Sequence, residues 1–301
     1  MVLSVSDPGH SRELSVGKCG GRKFARVVRS ILHPSSLVAA AAIFAAAAIL
    51  TGCATLPDGR RWGQDVRAAP GWSRIRGAAA AAATDPWVWA PLVGAAGLQL
   101  DGFDRRISSW ARRETPVFGS QAQAARWSDG LRSTAAVADF ATILLTPSGD
   151  FDAQWWRSKL QGYAVDLAAG STAIESTVLL KKTTHRTRPS GIDDQSLPSS
   201  HAVTAAVYDR LAARNFDDIP MSVGTRRALD YGLNAVTFGT AWARVEAGAH
   251  YPADTLVSIA IGNFSANFFK RAFMGETANA RQHLAVVPTS GGYLLHWELA
   301  L

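Results

Sequence analysis

Hydrophobic residues recur with helical periodicity through most of the chain. Apolar segments at helical spacing occupy 87–99, 134–146, 162–180, 202–214, 226–247 and 253–273. The tripeptide Thr84-Asp85-Pro86 precedes the first of them, and a cap residue before a proline is typical of a helix start. Polar residues such as Asp166, Arg227 and Asn263 interrupt the runs, so none is a clean span of membrane length. The pattern predicts an all-α protein, a soluble helical bundle over 84–275. A compact membrane bundle with polar residues facing inward is the alternative.

The segments on either side of the helical region, 53–83 and 276–301, depart from this pattern. Residues 284–300 contain two apolar stretches around Pro-Thr-Ser-Gly-Gly, which predicts a short β-hairpin in the C-terminal tail, 276–301. Residues 53–83 include a polar Pro-Asp-Gly-Arg-Arg stretch and end in six alanines. We interpret that segment as a tether, or linker, ahead of the helical domain.

The N-terminus has the organisation of an export signal. Residues 18–29 are basic, and 37–50 are continuously apolar but shorter than the roughly 20 residues that a spanning helix needs. This order predicts a signal peptide over 1–52. The sequence Leu-Thr-Gly ahead of Cys53 resembles the lipobox of bacterial lipoproteins. The resemblance implies that Cys53 is lipidated and holds the protein on the periplasmic side of the outer or inner membrane. An uncleaved anchor helix is the alternative.

Charge and cysteine content argue against some kinds of partner and site. The formal net charge is +7. Residues 1–52 hold six basic and two acidic side chains, so +4 of that charge lies in the predicted signal. No basic run follows it, which argues against a nucleic-acid partner. Cys19 and Cys53 lie too close to the apolar N-terminal segment to indicate a disulfide framework or a zinc site.

Three polar stretches carry the candidate chemistry. They are Lys181–Pro189, Pro198–His201 and Ala243–Asp254. Each alone fits a bland role, as a solvated helix end, a turn or a structural histidine. Together they suit phosphoryl transfer, which depends on positioning and on neutralising the charge of the phosphate oxygens. Lys181, Arg188 and Arg244 would supply the positive charge, because arginine forks fit phosphate and lysine adds a point charge.

The histidines supply the reacting groups of this hypothesis. His250 and Asp254 are four residues apart, one helical turn, and Pro252 predicts that a helix begins near Tyr251. Asp254 is therefore predicted to take the ring N–H of His250 and to leave the other nitrogen free to attack. His201 follows a Ser-Ser turn at a predicted helix start, where backbone amides favour an anion. It is the candidate acid for the leaving oxygen.

The order and spacing of these residues resemble the type 2 phosphatidic acid phosphatase superfamily, which includes bacterial class A acid phosphatases and resembles vanadium haloperoxidases. The family pattern is Lys-x6-Arg-Pro, then Pro-Ser-Gly-His, then Ser-Arg-x5-His-x3-Asp. The charged and histidine positions match at Lys181-x6-Arg188-Pro189 and Arg244-x5-His250-x3-Asp254. Ser200 replaces the glycine of the second motif, and Ala243 replaces the serine of the third.

The resemblance implies a role for each matched residue. His250 would form a phosphohistidine, Asp254 would orient it, and His201 would protonate the leaving group and later activate water. The residues that would hold the phosphate are Lys181, Arg188, Ser199, Ser200 and Arg244. No metal or other cofactor is implied, since the surrounding cations would repel a metal ion.

The implied activity is that of a metal-independent acid phosphatase. Its substrate would be a phosphomonoester or pyrophosphate, carried by a small molecule or by a lipid. Two alternatives stay open. One is a non-catalytic envelope lipoprotein that kept the fold, which Ser200 and Ala243 favour, and the other is a vanadium-dependent haloperoxidase.

Overall fold

A computed structural model of the chain describes residues 54–275 and, for the backbone, 282–289 and 292–299. The predicted signal over 1–52 and the predicted lipidation site at Cys53 lie outside the described residues. In the C-terminal tail, β1 (Gln282–Thr289) and β2 (Gly292–Leu299) pair in antiparallel register, with Gln282 opposite Leu299 and Thr289 opposite Gly292.

Helices form the rest of the described structure. In chain order they are α1 (Trp72–Ala83), α2 (Pro86–Leu98), α3 (Phe103–Glu114), α4 (Gln121–Leu145), α5 (Ala153–Thr184), α6 (Ser200–Asp218), α7 (Val223–Glu246) and α8 (Pro252–Phe269). A 3-10 turn, Leu100–Gly102, precedes α3, and a π-helical turn, Lys270–Met274, follows α8. The predicted all-α class is confirmed. Within 54–275, no helix is both long enough and apolar enough to cross a membrane.

Polar caps determine where most of the long helices begin. The side chains of Asp85, Ser120, Asp152, Ser199 and Ser222 accept a backbone N–H from the first turn of α2, α4, α5, α6 and α7. Helix α8 begins with Pro252 and has Tyr251 as its N-cap, so the predicted start is confirmed. Its third residue, Asp254, accepts the Tyr251 N–H as part of a capping box.

Small residues let the helices that carry the predicted site approach closely. Helix α6 packs between α5 and α8 through a cluster of Ala169, Ala173, Val203, Val207, Leu211 and Ala266. At Gly262 of α8, an added Cβ would lie 2.8 Å from the Val203 carbonyl oxygen of α6. The Ser199 amide, one residue before α6, donates to the Ser258 hydroxyl of α8 at 2.8 Å. The starts of α6 and α8 are therefore held together, and these are the places where His201 and His250 lie.

The interpretation of 53–83 as a tether is wrong for its described part, 54–83. The side chain of Trp62 is only 1% exposed and packs against Gly162 of α5, where no Cβ would fit. The alanine run belongs to α1, which packs against α8 and buries Ala82 completely. Alanine has the highest helix propensity and the smallest side chain that a helix interface can bury, so this run forms a packed helix.

Candidate active site

His250 lies in the short connection between α7 and α8, with its side chain almost fully buried. Its Nδ1 lies 2.5 Å from the carbonyl oxygen of Ser196. A carbonyl oxygen can only accept, so Nδ1 carries the ring proton and Nε2 holds the lone pair. No hydrogen bond reaches Nε2 from any residue of 54–275. The backbone thus fixes the tautomer that a nucleophilic Nε2 requires.

The surroundings of His250 favour the neutral ring. Burial is the main cause that lowers the pKa of His250 well below its ordinary value of 6.5. The positive charges of Arg244, Lys181 and Arg188 act in the same direction, whereas the hydrogen bond to Ser196 opposes them. A neutral imidazole keeps its lone pair across the physiological pH range, so the ring is available as a nucleophile.

Asp254 contacts Ser196 and not His250, and the predicted direct hydrogen bond between Asp254 and His250 is wrong. Its Oδ2 accepts the Ser196 hydroxyl at 2.5 Å and the Tyr251 amide at 2.9 Å. The capping box explains this, because it turns the carboxylate back toward the start of its own helix. Ser196 therefore lies between the two groups and offers its carbonyl to His250 and its hydroxyl to Asp254.

The Asp254 carboxylate is buried but retains compensating partners. Burial raises the pKa of Asp254 to about 6, and the nearby Asp104 adds to the increase. The Ser196 hydroxyl, the Arg186 guanidinium and the Tyr251 amide lower it. Arg186 Nη1 lies 2.8 Å from Asp254 Oδ1. This arginine was not among the predicted site residues, although it lies within the first motif.

Lys181 lies in the last turn of α5, near the cations of the other motifs. Its Nζ donates to the carbonyl oxygen of Gln195 at 2.8 Å. Burial lowers the pKa of Lys181 to about 8, and the positive charges of Arg188 and Arg244 contribute. These mutual effects show that three of the predicted phosphate-binding residues lie close together.

The two arginines keep donor capacity for a ligand. Arg188 directs Nε to Asp193 at 2.6 Å and Nη1 to the Ala249 carbonyl at 3.4 Å. Arg244 directs Nη1 to the Ser128 hydroxyl at 3.3 Å, and its buried Nε has no partner among the described residues. A buried, unsatisfied guanidinium N–H is unfavourable unless an acceptor binds there. Together with His250 and Lys181, these groups can bind a tetrahedral anion and attack it.

His201, the second residue of α6, is held by a carboxylate that the sequence did not predict. Its Nε2 lies 2.8 Å from Asp129 Oδ1 on α4. Burial and the charge of Arg244 lower the pKa of His201, and Asp129 raises it in part. Since the carboxylate accepts, Nε2 holds a proton that is directed at Asp129. To act as a general acid, the ring would carry a second proton on Nδ1 and give that one to a leaving group.

The hydroxyl groups of Ser199 and Ser200 each have a partner within the protein. The buried Ser199 hydroxyl caps α6 by accepting the Ala202 amide at 3.4 Å, and its predicted contact with phosphate stays a prediction. Ser200 Oγ lies 3.0 Å from Thr177 Oγ1 and therefore faces α5. What remains for an anion at this point is the first turn of α6, whose amides lack intrahelical acceptors.

Four residues of the site were missed by sequence reasoning. They are Asp104, Asp129, Arg186 and Ser196. Arg186 and Ser196 lie within or beside the recognised motifs, so a closer inspection of the motif interiors could have found them. Asp104 and Asp129 lie on α3 and α4, and no local pattern marks them. His185, to which no role was assigned, forms an exposed pair with Asp194.

Comparison with known proteins bears on the segment that carries all three motifs. Residues 162–277 match the model of the PAP2 superfamily. No curated protein matches the chain. Among solved structures, a transmembrane PAP2 type phosphatidylglycerolphosphate phosphatase from Bacillus subtilis is 17% identical, with a TM-score of 0.45. The match covers 61% of this chain and 92% of that one.

Proposed function

We propose that this chain hydrolyses a phosphomonoester or pyrophosphate through a phosphohistidine at His250, and the match of residues 162–277 to the PAP2 superfamily, whose members are phosphatases, supports the proposal. One observation carries the proposal. The Ser196 carbonyl holds the proton of the buried His250 on Nδ1 and leaves Nε2 unpartnered, close to three cations. A purely structural histidine would not require three cations, Lys181, Arg188 and Arg244, that act on its ring.

In the first step, the Nε2 lone pair of His250 attacks phosphorus, and a P–N bond forms as the bond to the leaving oxygen breaks. Lys181, Arg188 and Arg244 neutralise the charge on the equatorial oxygens. His201, protonated on both ring nitrogens at this stage, gives its Nδ1 proton to the leaving oxygen and keeps the Nε2 proton on Asp129. The Ser196 carbonyl stays bonded to Nδ1–H and stabilises the phosphorylated, positively charged ring.

In the second step, water attacks the phosphohistidine. His201, now without its Nδ1 proton, accepts one from the water, and the P–N bond breaks to release phosphate and neutral His250. The proton count balances over the cycle, because His201 ends in the state in which it began. No residue of the scheme depends on a metal ion.

We propose a phosphorylated lipid as the substrate, which the match to the PAP2 superfamily model supports. Lipidation of Cys53 would hold the site at a periplasmic membrane surface, and labelling with a radioactive fatty acid, lost in Cys53→Ala, tests that part separately.

The test of the activity is hydrolysis of p-nitrophenyl phosphate by the full-length chain. We expect turnover that survives a chelator and is blocked by vanadate. His250→Ala should abolish it, and His185→Ala, which changes an exposed histidine of the same region, should not. Full activity in His250→Ala would contradict the mechanism. Phosphate binding without turnover over a panel of esters would favour a non-catalytic lipoprotein, and bromide oxidation with vanadate and peroxide would favour a haloperoxidase.

A further inference from the structure

The structure assigns a positioning role to Arg186 and Asp104, two residues outside the reacting and phosphate-holding groups. We infer that they form a buried bridge, Asp104–Arg186–Asp254, which fixes Ser196 and, through its carbonyl, the His250 ring. The kinetic consequences rest on the proposed function, whereas the geometry does not.

Arg186 joins two carboxylates through separate nitrogens. Its Nη2 donates to Asp104 Oδ2 at 2.6 Å, and its Nη1 lies 2.8 Å from Asp254 Oδ1. The guanidinium carbon lies 4.5 Å from the centre of the Tyr251 ring, in cation–π contact. Both carboxylates are almost fully buried, whereas the Arg186 side chain is 27% exposed. A planar fork with donors on two sides suits this geometry, and a lysine ammonium does not.

Asp104 connects the bridge to a distant helix. It lies in the first turn of α3, and its Oδ1 accepts the Ala253 amide of α8 at 2.8 Å. Asp254 accepts the adjacent Tyr251 amide. Two carboxylates, one from α3 and one from α8, therefore satisfy the amides at the start of α8, where negative charge is stabilised. The start of α8 follows His250 directly, so the bridge fixes the backbone beside the ring.

The bridge reaches the reacting nitrogen in two further contacts. Asp254 Oδ2 accepts the Ser196 hydroxyl, and the Ser196 carbonyl accepts His250 Nδ1–H. If Asp254 turned away, Ser196 would lose the contact that orients it, and the ring would lose its fixed tautomer. Displacement of a reacting group by about 1 Å can reduce a rate about 10²-fold.

The charges around Asp254 give the bridge a pH signature. The groups that act on Asp254 from the surrounding elements are Arg186, Asp104 and Lys181. Arg186 lowers the pKa of Asp254, and Asp104 raises it. Removal of the guanidinium leaves the second effect unopposed, so Asp254 would take up a proton at higher pH and the acidic limb of the kcat profile would move upward.

The kinetic test compares Arg186→Met and Arg186→Lys with Lys182→Met, a matched change at an exposed neighbour in the same segment. In the full-length chain with p-nitrophenyl phosphate, Arg186→Met should lower kcat about 10²-fold, change KM less than about threefold and move the acidic limb up by about one pH unit. Arg186→Lys should restore the limb but not the full kcat, because it keeps the charge and loses the fork. Lys182→Met should match the unmodified protein.

A second variant and a second readout separate positioning from folding and from turnover. Arg186→Met leaves two buried carboxylates without their cation, so the double variant Asp104→Asn/Arg186→Met serves if the single one does not fold. The readout is the downfield proton NMR signal of His250 Nδ1–H, assigned by its loss in His250→Ala. We expect it to disappear in the folded Arg186 variants and to persist in Lys182→Met.

Failure of the proposed function and failure of the bridge give different results. An unmodified protein that hydrolyses no phosphate ester refutes the proposed function, and the NMR signal then decides the bridge alone. Folded Arg186→Met or double variants that keep the His250 Nδ1–H signal overturn the bridge, and so does an unchanged kcat with an unchanged acidic limb in an active protein.

Discussion

The molecule buries charge in two places, and the two differ in sign. At the His250 ring, the charges that act are the positive ones of Lys181, Arg188 and Arg244, although Asp193 and Asp129 lie near two of these cations. In the core, Lys270 is fully buried, with its Nζ 3.0 Å from Asp166 Oδ1 and 2.7 Å from Asn215 Oδ1. The charges of two more buried carboxylates, Asp139 and Asp209, act in the same region.

The two regions differ in how their buried charge can be neutralised. In the core, burial raises the pKa of Asp139 well above its ordinary value and that of Asp209 to about 7, so protons can neutralise the excess acid. At the His250 ring, the positive charge rests partly on arginines, which do not lose their protons. An anion could neutralise it and could accept from the buried Nε of Arg244, which has no partner among the described residues. We therefore expect the core cluster to act in stability and the His250 site to act in anion binding.

The largest expected effect comes from breaking the core cluster. Lys270→Met should lower the free energy of unfolding by about 3–5 kcal/mol, because it leaves buried carboxylates without their cation. The kcat of the protein that remains folded should change less than about twofold. Urea unfolding and p-nitrophenyl phosphate turnover measure the two quantities. A large loss of kcat at unchanged stability would mean that the two charged regions do not have separate roles.

The reverse pattern is expected for Arg244→Met. Loss of this cation should reduce kcat/KM about 10²–10³-fold and weaken inhibition by vanadate. Stability should stay within about 1 kcal/mol of the original, because the positive charge here is uncompensated without a ligand. Arg244→Lys should recover part of the activity. If Arg244→Met unfolds the protein and leaves the remaining turnover intact, the arginine is structural.

A smaller effect is expected in how the free energy of unfolding depends on pH, through Asp209 of the core cluster. The folded protein keeps the proton on Asp209 up to about pH 7, whereas the unfolded chain releases it near pH 4. The folded state then binds more protons, so this group makes the free energy of unfolding fall as pH rises from about 4 to 7. Asp209→Asn should remove a decline on the order of 2 kcal/mol. Urea unfolding at several pH values measures it, and an identical slope in the variant would contradict the assignment.

The smallest effect is expected at Ser200. Its hydroxyl pairs with Thr177 of α5, so Ser200→Gly should change kcat/KM less than about threefold. Steady-state kinetics on the same ester measures the change. A difference of more than tenfold in either direction would show that the hydroxyl contacts the substrate or restricts the approach of the phosphate.

Local patterns in the sequence were enough to predict the helices and the charged motif residues. Helix-start residues such as Asp85 and Pro252 mark where helices begin. The spacing of Lys181, Arg188 and His250 can be recognised in the sequence without knowledge of the fold. The contacts of Asp104 with Ala253 could not be predicted, because 149 positions separate them and only the packing of α3 against the start of α8 brings them together. A capping carboxylate can accept from several donors, and only the fold decides that Asp254 accepts from the Ser196 hydroxyl.

Residues 54–83 show a second limit of prediction from the sequence. A run of alanines is compatible with a linker and with a packed helix, and its hydrophobicity does not distinguish them. The decision comes from the surface it meets. Helix α8 offers a face on which Ala78 and Ala82 are buried, and Gly162 leaves the space that Trp62 fills.

The central claim is that His250 becomes covalently phosphorylated during turnover. Full-length protein mixed with p-nitrophenyl phosphate and quenched in alkali can be digested with trypsin, which yields the fragment 245–270 with His250 as its single histidine. Mass spectrometry should find one phosphate on that histidine early in the reaction. It should find none in His250→Ala, which should also be inactive. Steady hydrolysis with no phosphate on this fragment at any time, or full activity in His250→Ala, would contradict the account.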